Sequence, residues 1–574
     1  MTSSLDNAKL WLSDAYDAET RKAVQDLIDN NPTELDDSFY KNLEFGTGGM
    51  RGIMGVGTNR LNKYTLGAAT QGLANYINQQ FPNKEKKVAI AYDVRHNSDT
   101  FAKMVADVLT ANGINVYLFE SFRPTPELSF TVRHLGCDAG IVLTASHNPP
   151  IYNGYKVYWN DGAQIVPPQD GEIINEVNNV KVEEIKFQGN DALLTYIGKE
   201  IDEAFIDACV ANGSFTQEGK EDIKIVFTSI HGTAVAITPK AFEKAGFTQV
   251  HQVAEQAIPS GDFPTVKSPN PEEPEALTMA VALANEIDAD VVIGTDPDAD
   301  RVGVATRNNE GEIVLLNGNQ MNTVLAYYLL EKWQEAGKLV GKEFIGSTIV
   351  TSDIFYDIAA KFNVDCKVGL TGFKWIADMI RKFEGKESFV GGGEESFGFM
   401  VGDFIRDKDS VTTALLVSEI AAVQKAKGSS LYNKLMEIYL EIGKAYQEDL
   451  ISIVKPGKEG AELIAKMMVE FRSNPPKELA GSKVVRVKDF QSSIDKDLTS
   501  GEEKAIEIPK SNVLIFYTED GSKVACRPSG TEPKIKYYFS VNAPLSNKED
   551  YPAVQKALLA KIDLLKEDLS LIHI

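Results

Sequence analysis

No stretch of this chain stays apolar for the ~18 residues that would cross a bilayer. Its opening, MTSSLDNAKLWLSDAYDAET, has neither a basic leader nor a long apolar core. The sequence therefore predicts a cytoplasmic protein without a membrane partner. Cysteine is scarce: Cys137, Cys209, Cys366 and Cys526 are scattered, without the close pairing of a zinc site or redox motif, and read as reduced core residues. Positive charge is in deficit too, since 59 Lys and Arg against 82 Asp and Glu leave a net charge of −23. Such a surface repels nucleic acid and anionic membranes, although a locally basic cleft can still hold a small anion. The G-x-S-x-G elbow of hydrolases is missing as well.

What is present is a soluble globular composition, 43% apolar and 25% charged over 574 residues. That length exceeds one hydrophobic core and predicts about three to five domains. Residues 5–30 carry apolar side chains at helical spacing and predict one amphipathic helix. Short β-branched runs then recur, each emptying into a polar or glycine-containing loop: KKVAIAYDVRHNS (86–98), GCDAGIVLTASHNP (136–149), IKIVFTSIHGTA (223–234), ADVVIGTDPDADR (289–301) and SFVGGGEESFG (388–398). Unbroken apolar runs fit strands buried on both faces, in mixed or mostly parallel sheets covered by helices. Ligand sites in such sheets lie beyond the carboxyl ends of the strands, where these loops fall. Residues 511–543 read as strand, turn, strand, loop and strand before a final helix, a smaller α+β domain. The polar stretch 453–463 reads as a linker.

Four loops carry chemistry. In TASHNPP (144–150), Ser146 and His147 are adjacent, so they do not by themselves make a nucleophile and base, and the loop's residue types equally suit a cap or turn. In TDPDADR, Asp296, Asp298 and Asp300 alternate directly after a strand, three carboxylates that repel one another without a cation or strong solvation. Hard oxygen ligands suit Mg²⁺ or Ca²⁺. A calcium hand is excluded because Arg301 and Arg307 stand where its glycine and glutamate belong. The short ligand set favours Mg²⁺, with positions left for a phosphate oxygen. The loop GGGEESFG (391–398) places Glu394, Glu395 and Ser396 after three successive glycines, a set suited to sugar hydroxyls or equally to a glycine turn with exposed acids. CRPSGTEPK (526–534) brackets Ser529, Gly530 and Thr531 with Arg527 and Lys534, resembling an anion nest.

Together these loops resemble the α-D-phosphohexomutase family, the phosphoglucomutases and phosphomannomutases. The resemblance runs nearly the whole chain, in the family's order, from GTGGMRG (46–52) through TASHNP, DPDADR, TGFKWI (371–376) and GEESFG to RPSGTEPK. TGFKWI with VGDFIRDKDS (401–410) is most similar to the branch containing bacterial and phosphoglucomutase-2-type proteins.

The resemblance implies three related mixed-sheet α/β domains and a smaller α+β domain around a central cleft: 1–205 with the phosphoserine loop, 206–322 with the metal loop, 323–455 with the sugar loop, and 456–574 with the phosphate loop. It implies a phosphoserine at Ser146, and Mg²⁺ held by Ser146, Asp296, Asp298 and Asp300. It implies glucose 1,6-bisphosphate as activator and intermediate, and a hexose monophosphate substrate. The activity implied is interconversion of glucose 1-phosphate and glucose 6-phosphate; the alternatives are mannose or pentose phosphates, a silent sugar-phosphate binder, or a phosphatase with an aspartyl nucleophile. Arg51 and Lys156 match basic positions beside the phosphoserine, for electrostatic stabilisation or proton transfer, while His147 could orient the loop. Arg301, Thr371, Gly372, Lys374, Glu394, Ser396, Arg527, Ser529, Gly530, Thr531 and Lys534 match substrate positions. Many glucose-specific relatives have a histidine where Phe404 stands, so a general acid cannot be carried over there. Closure of the last domain about a hinge near 455, and a monomer or weak homo-oligomer, complete the expectations.

Overall fold

The unbroken apolar runs form central strands. Ala139–Leu143, Ile225–Thr228 and Val291–Thr295 are buried along their whole length, as strands with helices on both faces must be. The computed structural model describes residues 3–46, 48–455, 457–529 and 534–571. Two compact units emerge: one holds residues up to 316 with 377–384 and 396–430, the other 317–376, 385–395 and 431 onward.

The first unit contains two sheets. One has six strands in the spatial order Gly49–Ile53, Tyr152–Trp159, Ala139–Leu143, Lys87–Tyr92, Asn115–Phe119 and Leu194–Ile197. Its first three strands pair antiparallel and the rest parallel. Leu73, Ile90, Val105 and Ile141 lie in its core. The other has five, Ile313–Leu316, Val302–Arg307, Val291–Thr295, Ile225–Thr228 and Val250–Gln252, with an antiparallel hairpin joined to a parallel set. The mostly buried helix Ser410–Ala426 packs on Lys199–Gly213 and Thr238–Ala245. The serine loop thus follows Ala139–Leu143 and the aspartate loop follows Val291–Thr295, both at carboxyl ends of strands with parallel neighbours.

In the second unit, Asp365–Gly369, Glu343–Thr348 and Ser388–Glu394 pair in parallel. The loop read at 391–398 is corrected in its first half, because its three glycines run inside the last of those strands, which excludes the glycine-turn alternative. A Cβ on Gly392 would stand 2.2 Å from the Gly346 carbonyl oxygen, so glycine serves close backbone approach and not turning. An antiparallel sheet follows, in which Lys444–Val454, Lys534–Pro544, Lys523–Pro528, Leu514–Thr518 and Ser482–Asp489 are successive neighbours.

Two further expectations change. The linker read at 453–463 is corrected: 453–454 end the strand Lys444–Val454, paired along its length with Lys534–Pro544, and 457–463 begin a helix reaching Ser473. Polar composition concealed a helical repeat that buries Ile464, Met468 and Phe471. Nor is 5–30 one helix. Ser4–Leu10 and Ala18–Asn30 are separate, with Trp11 stacked on Tyr16 at 4.6 Å between ring centroids. Asp17 starts the second helix by accepting from the Thr20 amide at 2.8 Å.

Cys137, Cys209 and Cys526 are buried, Cys366 is half-buried, and all four are free thiols. Among the described residues, no helix is long and apolar enough to cross a membrane.

Candidate active site

Ser146 sits just beyond the buried strand Ala139–Leu143, in a left-handed backbone conformation with φ of 51°. Non-glycine residues rarely adopt it, so something must hold the loop. Two devices do. The Thr144 hydroxyl accepts from the Ser146 amide at 2.9 Å. Behind the loop, the buried guanidinium of Arg95 donates to the carbonyls of Ser146 at 2.6 Å, Pro149 at 2.8 Å and Tyr152 at 3.0 Å, and also to that of Asn148. Asp93 pairs with Arg95 at 3.2 Å, both fully buried. Gly154 completes the fit, since a Cβ there would meet the Thr144 carbonyl at 2.5 Å.

The Ser146 hydroxyl donates to Asp296 Oδ2 at 2.7 Å, across 150 residues of chain. Asp296, Asp298 and Asp300 are all buried, and one oxygen from each lies within 4.8 Å of the others. Asp296 Oδ1 accepts from the amides of Asp300 at 3.1 Å and Arg301 at 3.0 Å, which curls the loop. Thr125 pins its middle, donating from its hydroxyl to Asp298 Oδ2 at 3.0 Å and from its amide to the Asp298 carbonyl at 2.8 Å. Burial and the two neighbouring carboxylates push Asp296 well above the usual carboxylate range. Burial also opposes ionisation of Asp298 and Asp300, but Lys156 at 2.7 Å from the former and Lys408 at 2.9 Å from the latter outweigh it, and both stay below that range.

Asp298 Oδ1 and Asp300 Oδ1 are buried without a hydrogen-bond partner. Orphaned carboxylate oxygens this deep are costly, and here they belong to a cluster of hard oxygen donors. The residues present therefore fit a divalent cation of the oxygen-seeking kind.

The basic residues surround this pair of loops. Lys156, on Tyr152–Trp159, is half-buried, and although desolvation opposes its charge, Asp298 and Asp300 keep its ammonium protonated. Arg51 donates to the Asn148 side chain at 3.0 Å. Arg301 is ion-paired with Glu272 and lies 3.8 Å from Asp300. His147 Nδ1 lies 3.3 Å from the Ser146 hydroxyl. Burial, then Arg301 and Arg51, depress the imidazole well below its usual pKa, so it is neutral at neutral pH.

The first unit thus brings together Ser146, His147, Lys156, Arg51, Arg301 and the three aspartates, and also contains Ser396. Thr371, Gly372, Lys374, Glu394, Arg527, Ser529 and Lys534 belong to the second unit. There, Glu394 ends a buried strand and Asn322 donates to its carbonyl at 2.9 Å. Glu395 accepts from the hydroxyls of Thr348 at 3.3 Å and Thr351 at 3.1 Å. Lys374 lies over the Trp375 ring, 5.5 Å from its centroid. Arg527 donates to the Tyr538 hydroxyl at 3.4 Å. Gly530 and Thr531 lie outside the described residues.

Sequence reasoning overlooked Arg95, Thr125 and Lys408. The RHNS segment after a buried strand was a signal for Arg95, and Lys408 stands inside the VGDFIRDKDS motif. Nothing local marks Thr125, whose role arises only when two sheets meet within this unit.

Comparison with known proteins agrees with this geometry. Residues 42–184, 203–311 and 317–439 match, in order, the alpha/beta/alpha domains I, II and III described as phosphoglucomutase/phosphomannomutase. A phosphoglucomutase of Staphylococcus aureus (strain MRSA252) is 39% identical over 544 residues, 93% of this chain and 96% of that protein. One from Staphylococcus epidermidis (strain RP62A) is 37% identical over 526 residues, covering 90% of this chain and 94% of its own. Among solved structures, parafusin from Paramecium superposes with a TM-score of 0.66 at 18% identity, over 92% of this chain and 95% of that one. A phosphoglucomutase/phosphomannomutase family protein of Burkholderia thailandensis gives 0.63 at 18% identity, over 91% and 97%. At such identity the superpositions speak for the fold alone.

Proposed function

The chain belongs to the phosphoglucomutase/phosphomannomutase family, and from that membership we propose that it interconverts glucose 1-phosphate and glucose 6-phosphate through a phosphorylated Ser146 and glucose 1,6-bisphosphate. The observation that carries the reading is the 2.7 Å hydrogen bond from the Ser146 hydroxyl to Asp296, which sets a nucleophile against the three-aspartate cluster. Bound at Asp296, Asp298 and Asp300 with an oxygen of Ser146, Mg²⁺ would supply Lewis-acid polarisation of the phosphoryl oxygens.

The chain's own residues do the rest. Phosphorylated Ser146 gives its phosphoryl group to a free sugar hydroxyl; the bond from phosphorus to serine oxygen breaks as the bond to sugar oxygen forms. The attacking hydroxyl releases its proton in this step, and a proton is taken up again by the sugar oxygen set free when the bisphosphate, from its other end, returns the phosphoryl group to Ser146. Lys156 and Arg51 balance the charge developing on the transferred group. Since its neighbours keep Lys156 protonated, its contribution is electrostatic. His147, neutral beside the serine oxygen, orients the loop. Arg301 faces the phosphoryl group once substrate draws it from Glu272. Glu394, Ser396, Lys374, Thr371 and Gly372 are assigned to sugar hydroxyls, and Arg527, Ser529, Gly530, Thr531 and Lys534 to the phosphate that is not reacting. The four-domain division is part of this reading, with the last boundary moved to the strand that begins at Lys444.

The test is incubation with glucose 1,6-bisphosphate labelled in phosphorus, followed by peptide mapping and assay of glucose 1-phosphate turnover. Label at Ser146, with label and turnover both lost in Ser146→Ala, is the expected result. Full turnover by Ser146→Ala overturns the mechanism.

A further inference from the structure

The loop of IKIVFTSIHGTA carries no group assigned to phosphoryl transfer or to sugar, yet it leaves the first unit's second sheet beside the aspartates. Ile225–Thr228 pairs in parallel with Val291–Thr295, so the turn after one and the aspartate loop after the other emerge at the same edge. They meet at Pro297, between Asp296 and Asp298. The Thr233 amide donates to the Pro297 carbonyl at 2.8 Å. A Cβ on Gly232 would fall 2.6 Å from Pro297 Cα, so glycine is what lets the two backbones come this close.

The turn itself is strained. Ile230 and His231 are consecutive non-glycine residues in left-handed backbone, with φ of 45° and 63°, a conformation in which a β-branched residue is an outlier. It persists only where the surroundings over-determine it. Here a closed set of hydrogen bonds centred on the buried Gln256 does so. The Ile230 amide donates to the Thr228 hydroxyl oxygen at 3.0 Å, and that hydroxyl donates to Gln256 Oε1 at 2.6 Å. Gln256 Nε2 donates to the Thr265 hydroxyl oxygen at 3.0 Å, while the Gln256 carbonyl accepts from the His231 amide at 2.8 Å and the Ser229 hydroxyl at 3.0 Å. The buried imidazole of His231 closes the set, with Nδ1 2.8 Å from the Ile258 carbonyl and Nε2 2.9 Å from the Thr265 hydroxyl. A carbonyl can only accept, so the ring proton is on Nδ1 and Nε2 accepts from Thr265.

We propose that His231 is a positioning residue for the metal ligands: through Thr265, Gln256 and Thr228 it locks the left-handed turn against which Pro297 packs, and so fixes Asp296 and Asp298 within reach of one ion. Thr125 holds the aspartate loop at Asp298, and this turn holds it one residue earlier. The inference rests on the three aspartates being the ligands of the cation.

Mn²⁺ is the probe, titrated into the full chain and followed by the paramagnetic resonance signal of the free ion. Thr265→Val removes the hydroxyl that serves Nε2 and keeps the shape of the side chain. It should weaken Mn²⁺ binding about tenfold, the order found when hydrogen bonds behind metal ligands are lost, and Thr265→Ser should restore the wild-type affinity. His231→Ala should lose at least as much, and Thr265→Val keeps the test valid if that variant does not fold. A merely structural role would lower the unfolding midpoint and leave the affinity of the folded chain where it was. Wild-type affinity in the folded variants, or equal weakening in Thr265→Ser, overturns the inference and leaves the metal reading standing. A wild type that binds no Mn²⁺, or that binds it no better than Asp298→Asn does, overturns the metal reading and this inference with it.

Discussion

Lys156 Nζ lies 2.7 Å from Asp298 Oδ2 and 3.3 Å from Asp300 Oδ2, so an ammonium from one sheet neutralises the acidic loop of another. Removing it strands the buried Asp298, while Asp300 keeps Lys408 at 2.9 Å. Lys156→Met should therefore destabilise the metal-free protein by about 3–5 kcal/mol. Millimolar Mg²⁺ should recover much of that deficit, because a cation at the aspartates replaces the lost charge and stabilises the folded form by mass action. Urea unfolding midpoints in chelator and in Mg²⁺ measure both. An equal deficit under the two conditions would mean that the cluster does not hold the ion.

Arg95 spends its guanidinium on carbonyls of the loop from Ser146 to Tyr152, and its loss frees Ser146 from its left-handed conformation. Arg95→Met should lower kcat by a hundredfold or so, the order expected when a reacting group is misplaced by ~1 Å. It also leaves Asp93 buried and unpaired, at a cost of about 3 kcal/mol. The double variant Arg95→Met with Asp93→Asn separates the two effects: stability should return in a denaturant titration, while turnover should not.

Lys156 was singled out from the sequence, whereas the Arg95 role marks where sequence reading stops. The positions of the Ser146 and aspartate loops were legible because each follows an unbroken apolar run, and such runs form central strands whose ends carry ligands, while the serine's role came from the family resemblance. The C-terminal strands and helix were legible for a similar reason, through alternation and a turn at 519–521. Arg95 and Thr125 were not, because their partners lie 51 and 173 residues away and no local pattern encodes the meeting. Residues 453–463 misled by composition, since polar surface residues masked the spacing of Ile464, Met468 and Phe471. The glycines at 391–393 misled in the other direction. Glycine permits a turn, but it also permits two backbones to touch, and only the neighbour at Gly346 decides between them.

That contact gives a prediction of its own. A Cβ on Gly392 would fall 2.2 Å from a backbone oxygen, which cannot rotate away, so Gly392→Ala should force Ser388–Glu394 off Glu343–Thr348. The expected loss is about 3 kcal/mol, at the upper end for overpacking. Gly171→Ala is the control. Gly171 sits in the helix Gln169–Asn179 with open space around its Cβ position, and alanine there should stabilise by about 0.5–1 kcal/mol. Chemical denaturation of the two variants should therefore move in opposite directions, and a shared direction would place the contact wrongly.

Glu448 lies in the second unit, on Lys444–Val454, buried, with Ser540 donating to it at 3.4 Å. Burial pushes its carboxyl up from 4.5 to about 7, against the pull of the Ser352 and Ser540 hydroxyls. The folded chain therefore keeps a proton that the unfolded chain has already released between those two values. Stability contributed by this group is full below pH 4.5, falls as pH rises through that window, and is gone above about 7. The total is about 3 kcal/mol, at ~1.4 kcal/mol for every tenfold difference in proton affinity between the folded and unfolded chain. Asp409 in the first unit, raised by burial to about 6, adds a slope of the same sign that ends earlier. Glu448→Gln keeps the shape and the neutral state at every pH, so the decline between about pH 6 and 7 should flatten and the variant should outlast the wild type in denaturant at about pH 8. Unfolding midpoints across that range decide it: a variant that declines as steeply as the wild type would mean that Glu448 is ionised in the folded protein.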